Sequence, residues 1–367
     1  MNIPTSSPVM VTGSTGYVGG VLVKQLLEAG LTVHCPVRDP TNESKVEHLK
    51  SLSGGENLKF FEANLLDQGS YLESMKGCSV VFHVASPFIM NVPSEKAQEL
   101  LLDPALKGTL NILESANDPS LESSVKRVVL TSSFLAIATD GTDCEEVRAK
   151  TGKMIDEETW NESASKDYEP YAYSKTLAER AAWDFVKEQE DCSFDLVVCN
   201  PGFVMGPGVK VHEASESYTF IEAFGTGKFA GGCPDFSMAF VDVRDVARGH
   251  IAAGFLPSET VANQRYILRG TNEKMLNVGK ILAEVYPNYS FPTSSVPKWL
   301  FWCVAPYIGI SRKYCSRSVG HTFEADNSKS LRALELGEYR PLKESLSDIF
   351  QQCLDNGYIP TREATVK

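Results

Sequence analysis

No CxxC pair occurs among the nine cysteines of this sequence, and no HxxEH or paired metal spacing among its six histidines. An odd, unpatterned set of thiols argues against a disulfide framework and reads as reduced cysteines in a cytoplasmic protein. No zinc site or Cys–His nucleophile stands out. Long apolar runs are also missing. The most apolar late stretch, Trp299 to Ile310, is interrupted by Pro306 and Gly309 and is shorter than the roughly 20 residues a bilayer span needs. It reads as buried structure of the substrate domain, with a surface patch for a partner as the second reading. Residues 1–12 lack a basic segment followed by an apolar run, so no secretory signal is expected. Basic residues are in deficit, 35 against 47 acidic, for a formal net charge of −12. That balance argues against nucleic-acid and membrane partners and leaves room only for a local basic pocket, such as one nucleotide needs.

The chain does have the makings of a large core. It has 367 residues, 43% hydrophobic and 22% charged, near globular averages. Short apolar runs alternate with segments of helical period. Val9 to Val11, Thr32 to Val37, Leu58 to Ala63, Val80 to Val84, Arg127 to Thr131 and Asp195 to Cys199 read as strands. Val21, Leu22, Leu26 and Ala29 mark one helical stripe, closed by Gly30 at a C-cap. This βαβα rhythm predicts an α/β fold with a doubly wound parallel (Rossmann) sheet. Beyond Pro201, Gly and Pro become frequent. Met238 to Val243 reads as a strand returning to the sheet, with Asp245 as N-cap of a helix from Val246 to Ala253. The expected plan is a nucleotide-binding domain over 1–200 plus about 238–268. A smaller, discontinuous C-terminal substrate domain takes about 201–237 plus 269–360.

Between the first strand and the first helix lies GxxGxxG, with Gly13, Gly16 and Gly19. Gly13 allows a tight turn, Gly16 lets the backbone approach a pyrophosphate, and Gly19 allows close helix–sheet packing. The phosphates then meet unpaired N–H groups and the positive end of the helix. A site selective for NAD places a carboxylate at the end of the second strand, toward the ribose 2′-OH. Here Val37-Arg38-Asp39-Pro40 puts Arg38 first, with Lys45 following. A guanidinium suits a 2′-phosphate, so the cofactor expected is NADP(H). The competing reading makes Arg38 and Lys45 solvated charges and turns Asp39 to the ribose.

Tyr171-Ala172-Tyr173-Ser174-Lys175 begins a helix, so Tyr171 and Lys175 share a face one turn apart. A phenol titrates near 10, and a neighbouring ammonium favours phenolate. Such a tyrosine can donate a proton to a carbonyl oxygen as hydride reaches carbon. Val128 to Ser133 ends a buried strand in hydroxyls, at the sheet edge where ligands bind. One of these hydroxyls could hold the developing oxyanion, or both serines could be cap residues. His83, inside VVFHVA, reads as a hydrogen-bonded core residue, and Asp242 and Asp245 as capping or turn carboxylates.

In order and spacing, VTGSTGYVGG, VRDP, VFHVASP, VVLTSS, YAYSK, NPGFVMGP and FVDVRDVARGHI resemble the extended short-chain dehydrogenase/reductases. Similarity is greatest to the branch of dihydroflavonol reductases, cinnamoyl-CoA reductases and fungal ketone/aldehyde reductases. It extends to about Ile359. The resemblance implies a catalytic set of Ser133, Tyr171 and Lys175, with Lys175 also on the nicotinamide ribose. It implies cofactor contacts from the turn residues Gly13, Thr15, Gly16, Tyr17, Val18 and Gly19, and from Arg38 and Lys45 at the 2′-phosphate. Val84, Ala85 and Ser86 would line the cofactor, and Pro201 and the Val204 backbone would meet the nicotinamide. Asn64-Leu65 stands where the family has Asp-Leu at the adenine, and an Asn carbonyl accepts from the amino group equally.

Two departures concern the substrate. Ala138 stands where plant dihydroflavonol reductases carry an asparagine that grips the flavonoid. The tryptophan- and cysteine-containing signature of cinnamoyl-CoA reductases is replaced by Lys166 to Tyr173. Both count against the named plant activities and favour an apolar pocket for a broad aldehyde or ketone. The function expected is an NADPH-dependent carbonyl reductase acting on a small-molecule substrate, as a monomer or homodimer. Sugar-nucleotide epimerases and dehydratases share YxxxK but retain NAD, against which Arg38 argues. A hydroxysteroid-type dehydrogenase is not separated by sequence. A non-catalytic NADP(H)-sensing regulator is disfavoured because such members lose the tyrosine or lysine that this chain keeps. NADPH is expected to bind at least about tenfold tighter than NADH, a difference near 1.4 kcal/mol; equal dissociation constants on titrating the apoprotein would overturn the Arg38 reading.

Overall fold

Seven runs of the chain lie side by side and parallel in the computed structural model, which describes residues 3–86, 92 and 94–362. Pro87, the last residue of VFHVASP, lies outside them. The strands are β1 (Val9–Thr12), β2 (Val33–Val37), β3 (Leu58–Glu62), β4 (Val80–His83), β5 (Arg127–Thr131), β6 (Asp195–Pro201), β7 (Phe203–Met205), β8 (Ser237–Asp242), β9 (Gln264–Leu268) and β10 (Thr271–Lys274). The main sheet has the order β3-β2-β1-β4-β5-β6-β9. Every pairing in it is parallel. The order reverses between β1 and β4, which makes the carboxyl ends of those two strands the natural crevice for a ligand.

Because β1 and β4 are buried along their whole length, they need the continuous apolar runs seen in the sequence. Helices cover both faces. On one, α1 (Tyr17–Glu28) packs against the helix Val243–Phe255; on the other, the helices Asp103–Ala116 and Pro170–Glu188 pack together. The α1 stripe is as expected, with Leu22 and Leu26 fully buried, each stabilising by about 1.5–3 kcal/mol. Gly30 follows the helix with φ of 80°, in the left-handed cap conformation.

Three expectations are corrected. The strand at 237–242 does not return to the main sheet; β8 lies between β7 and β10 in a separate three-stranded sheet. The chain leaves the main sheet at Gly202, where a Cβ would lie 2.3 Å from the Ala239 carbonyl oxygen. That backbone contact seats β7 against β8, and β9 takes the place beside β6. Periodicity identifies a strand but not its partner. Second, the N-cap of the helix Val243–Phe255 is Asp242, whose carboxylate accepts from Arg244 N. Asp245 is buried inside the first turn and accepts from Arg340 N at 2.6 Å.

Third, the segment Trp299 to Ile310 is not buried. Phe301 and Ala305 face inward, the former ring-to-ring with Phe236 at 5.5 Å. Trp299 is 70% exposed and Tyr307 88%. Two anchors one helical turn apart hold the segment, and the residues between them face outward. Among the described residues no helix is long and apolar enough to cross a membrane, and no cluster could hold a metal ion.

The glycine turn generates a stability prediction. A Cβ on Gly19 would lie 2.1 Å from the Gly13 carbonyl oxygen, a backbone atom that cannot move aside without opening the turn. Gly19→Ala should therefore lower the unfolding free energy by about 1–3 kcal/mol, the scale of overpacking; an unchanged urea midpoint would show the contact to be relaxed in solution.

Candidate active site

The turn after β1 is made by Gly13, with φ of 65°, and Gly16, whose N–H donates to the Gly13 carbonyl at 2.9 Å. Gly16 is the N-cap of α1 and has no side chain to satisfy the first-turn donors. Helix geometry leaves the N–H groups at the start of α1, beyond Gly16 and including Tyr17 and Val18, directed out of the end. A Cβ on Gly13 would lie 2.9 Å from the backbone of Ala85. The two crossing segments thus approach as closely as glycine permits, with Thr15 at the tip of the turn. This cradle of backbone donors at a positive helix end fits a pyrophosphate.

Thr12, which the motif reading passed over, ties the turn to β4. Its Oγ1 accepts from Val84 N at 3.1 Å and Ala85 N at 3.0 Å. Its own proton therefore goes to His83 Nδ1, 2.9 Å away, which places the neutral imidazole's proton on Nε2. His83 is buried, and burial followed by the charge of Lys175 pushes its pKa down to about 3. The core reading of His83 holds.

The helix Pro170–Glu188 brings the next groups. The Lys175 ammonium lies 5.7 Å from the centre of the Tyr171 ring. Tyr171 is partly buried, and burial pushes its pKa up. Burial also pushes Lys175 down to about 8, against the carboxylate of Glu179, which pulls it up. The lowered tyrosine pKa expected from a neighbouring ammonium is thus corrected: desolvation dominates both groups, and the phenol holds its proton at neutral pH.

The two serines have different surroundings. Ser132 Oγ donates to Glu179 Oε2 at 2.5 Å. Ser133 Oγ accepts from Leu135 N at 3.1 Å, capping the short turn Phe134–Ala136, and its O–H is left to donate. The helix carrying Tyr171 packs on that turn. A narrow cleft at the carboxyl ends of β4 and β5 is lined by His83, Ala85, Ser86, Ser132, Lys175 and Glu179, among others. Its lining includes neither Tyr171 nor Ser133.

The remaining predicted residues lie at carboxyl ends of strands or just beyond. Arg38 follows β2 and is exposed, as is Lys45 in α2 (Glu43–Lys50). Asp39 is engaged locally: its Oδ1 accepts from Thr41 N at 2.9 Å and Thr41 Oγ1 at 2.6 Å, which holds its pKa down. That turn role weakens the reading in which Asp39 serves a ribose. Asn64 is exposed after β3, its Oδ1 accepting from Leu66 N at 3.3 Å with a lone pair to spare, and Leu65 packs at Gly108. Pro201 ends β6, and the Val204 carbonyl in β7 accepts from Ser217 Oγ at 2.6 Å. Ala138 is fully buried beside Phe134 and Ile137, so this position contributes to the core.

Glu179, also missed, is the hub of the site's polar packing. It accepts from Ser132, from Asn200 Nδ2 at 2.8 Å and from Arg265 Nε. Asn200 also donates to the Ser133 carbonyl at 3.1 Å. The available signal was its place four residues beyond Lys175 on one helical face.

The model of the NAD dependent epimerase/dehydratase family matches residues 9–268. A cinnamoyl-CoA reductase of Medicago truncatula, CAD2, is 38% identical over 346 residues, covering 93% of each chain. An anthocyanidin reductase of Arabidopsis thaliana is 34% identical over 297 residues, 78% of this chain and 82% of that one. Among solved structures, yeast methylglyoxal/isovaleraldehyde reductase Gre2 complexed with NADPH superposes with a TM-score of 0.77. Its identity is 27%, over 96% of this chain and 99% of that one.

Removing the charge of Glu179 would leave the buried Arg265 guanidinium without its carboxylate. Glu179→Gln should cost about 3–5 kcal/mol of stability, as breaking a buried pair does. A loss under about 1 kcal/mol in chemical denaturation would show that Arg265 is held by its carbonyl partners at Glu157 and Thr159 instead.

Proposed function

The chain belongs to the NAD dependent epimerase/dehydratase family, the extended short-chain dehydrogenase/reductases, and on that basis we propose that it is an NADPH-dependent carbonyl reductase. It reduces an aldehyde or ketone to an alcohol. The observation that carries this reading is the placing of Lys175 and Tyr171 one turn apart on a helix that borders the crevice beside the glycine turn.

When bound, NADPH supplies the hydride. The turn at Gly13, Gly16 and Gly19 holds its pyrophosphate, and Arg38 and Lys45 meet its 2′-phosphate. Tyr171, with its hydroxyl protonated at neutral pH, gives its proton to the substrate oxygen as that oxygen gains charge. Ser133 donates a hydrogen bond to the same oxygen, while its lone pair holds Leu135 N and fixes the hydroxyl in place. Lys175 binds the nicotinamide ribose. Asn64 and Leu65 face the adenine; Val84, Ala85, Ser86, Pro201 and Val204 form the walls.

The cofactor part takes residues 1–200 with about 243–268, and the substrate part about 201–242 with 269–360, since β8 pairs with β7 and β10 and not with the main sheet. Ala138, sealed in the core, supports a substrate held without the asparagine grip of plant dihydroflavonol reductases. Nine unpaired cysteines, seven of them buried, support a cytoplasmic setting. Epimerase chemistry on a retained NAD is not favoured, since Asp39 is tied to Thr41 and Arg38 precedes it.

Tyr171→Phe removes the proton and little else. Turnover should fall by a factor of about 100 or more, with NADPH affinity within about twofold of the parent. Turnover on a panel of aldehydes, ketones and keto-esters, followed by NADPH absorbance, gives the readout; an undiminished rate would reject Tyr171 as the acid.

A further inference from the structure

The segment after β7 turns back over the start of α1 and is fastened there. Tyr17 Oη donates to the Gly206 carbonyl at 2.5 Å. Gln352 grips Gly208 on both sides, donating to its carbonyl at 2.7 Å and accepting from its N–H at 3.1 Å. Tyr218 Oη accepts from the same N–H at 2.8 Å and donates to Gln352 Oε1 at 2.6 Å. Val209 packs so closely on α1 that a Cβ at Gly20 would lie 2.8 Å from its Cγ2. The His212 ring lies 5.9 Å from Tyr17 and 6.4 Å from His48 of α2, centre to centre. Residues 206–212 are therefore a braced strap across the first turns of α1 and against α2, with Lys210 between its two anchored sides.

Four basic side chains gather at this strap: Lys45 and His48 from α2, and Lys210 and His212 from the strap itself. Burial and then Lys45 hold the Lys210 ammonium below its ordinary range. Burial and then Lys210 push both imidazoles down to about 4. Among the described residues, the charged groups acting on these three are all basic. Both ring nitrogens of His48, and Nε2 of His212, are buried without a hydrogen-bond partner. Lys45 and Lys210 thus bring two like charges together beside uncharged imidazoles that have unpaired nitrogens, and in a chain of net charge −12 such a pair is the environment that a multiply charged anion neutralises.

We propose that Lys210, carried by the strap beside Lys45 and His48, is a third cation for the adenosine 2′-phosphate of NADPH and sets the preference over NADH. This rests on the reading of the chain as an NADPH enzyme. It also gives the strap a function: the element that begins at the nicotinamide-side residues Pro201 and Val204 reaches the other end of the same cofactor.

The test is equilibrium binding, free of turnover. Lys210→Met keeps the aliphatic stem, and Lys210 is only partly buried, so the fold should hold; matching circular dichroism and melting curves would verify this. Dissociation constants for NADPH and NADH are measured by titration for the parent, Lys210→Met and Lys210→Arg. The expected result is an NADPH constant raised about tenfold in Lys210→Met, an unchanged NADH constant, and recovery of most of the loss in Lys210→Arg. A variant that keeps the parent's NADPH:NADH ratio, whether both constants are unchanged or both rise together, overturns the role of Lys210 alone. A parent that binds the two cofactors equally overturns the NADPH reading beneath it.

Discussion

A carboxylate sealed from water organises the centre of this protein. Glu179 receives Ser132 from the end of β5, Asn200 from β6 and Arg265 from β9. Three neighbouring strands are thereby locked to the helix that carries Tyr171 and Lys175. A buried charge of this kind is tolerated only when its lone pairs are filled, and it penalises any arrangement that leaves one empty. Its position also tunes the site. The charge that holds the strands together is the same one that counters the desolvation of Lys175, so architecture and protonation rest on one side chain.

A second constraint is steric. At Gly13, Gly19 and Gly202 the backbone comes so near another strand or turn that a single added carbon would collide with main-chain atoms. Two of these contacts set the phosphate cradle at the switch point between β1 and β4. The third diverts the chain from the main sheet into the small one. Close approach thus both shapes the turn at the crevice and sends the chain into the second sheet. The strap over α1 continues the same path and returns to the cofactor.

Much of the architecture was legible in the chain. The inner parallel strands showed as apolar runs because both their faces are covered, and the turn after β1 showed as glycines because nothing larger fits. Tyr171 and Lys175 could be paired because helical period alone places them one turn apart. The partner of β8 was not legible, since an apolar alternation says that a strand exists and not which edge it joins. Nor was the exposure of Trp299 and Tyr307, because apolarity implies burial only when the surrounding surface closes over a residue.

By itself, then, the sequence determined the features that depend on neighbours within a few residues: strand and helix period, turn geometry, and the spacing of the YxxxK pair. Tertiary structure decided those that depend on segments far apart. Glu179 meets Arg265 across 86 positions, Thr12 meets His83 across 71, and Lys210 comes to Lys45 through a strap no local pattern announces. The protonation of Tyr171 belongs with these. A neighbouring ammonium can be read from spacing, but desolvation, which outweighs it, exists only once the rest of the chain has packed against the side chain.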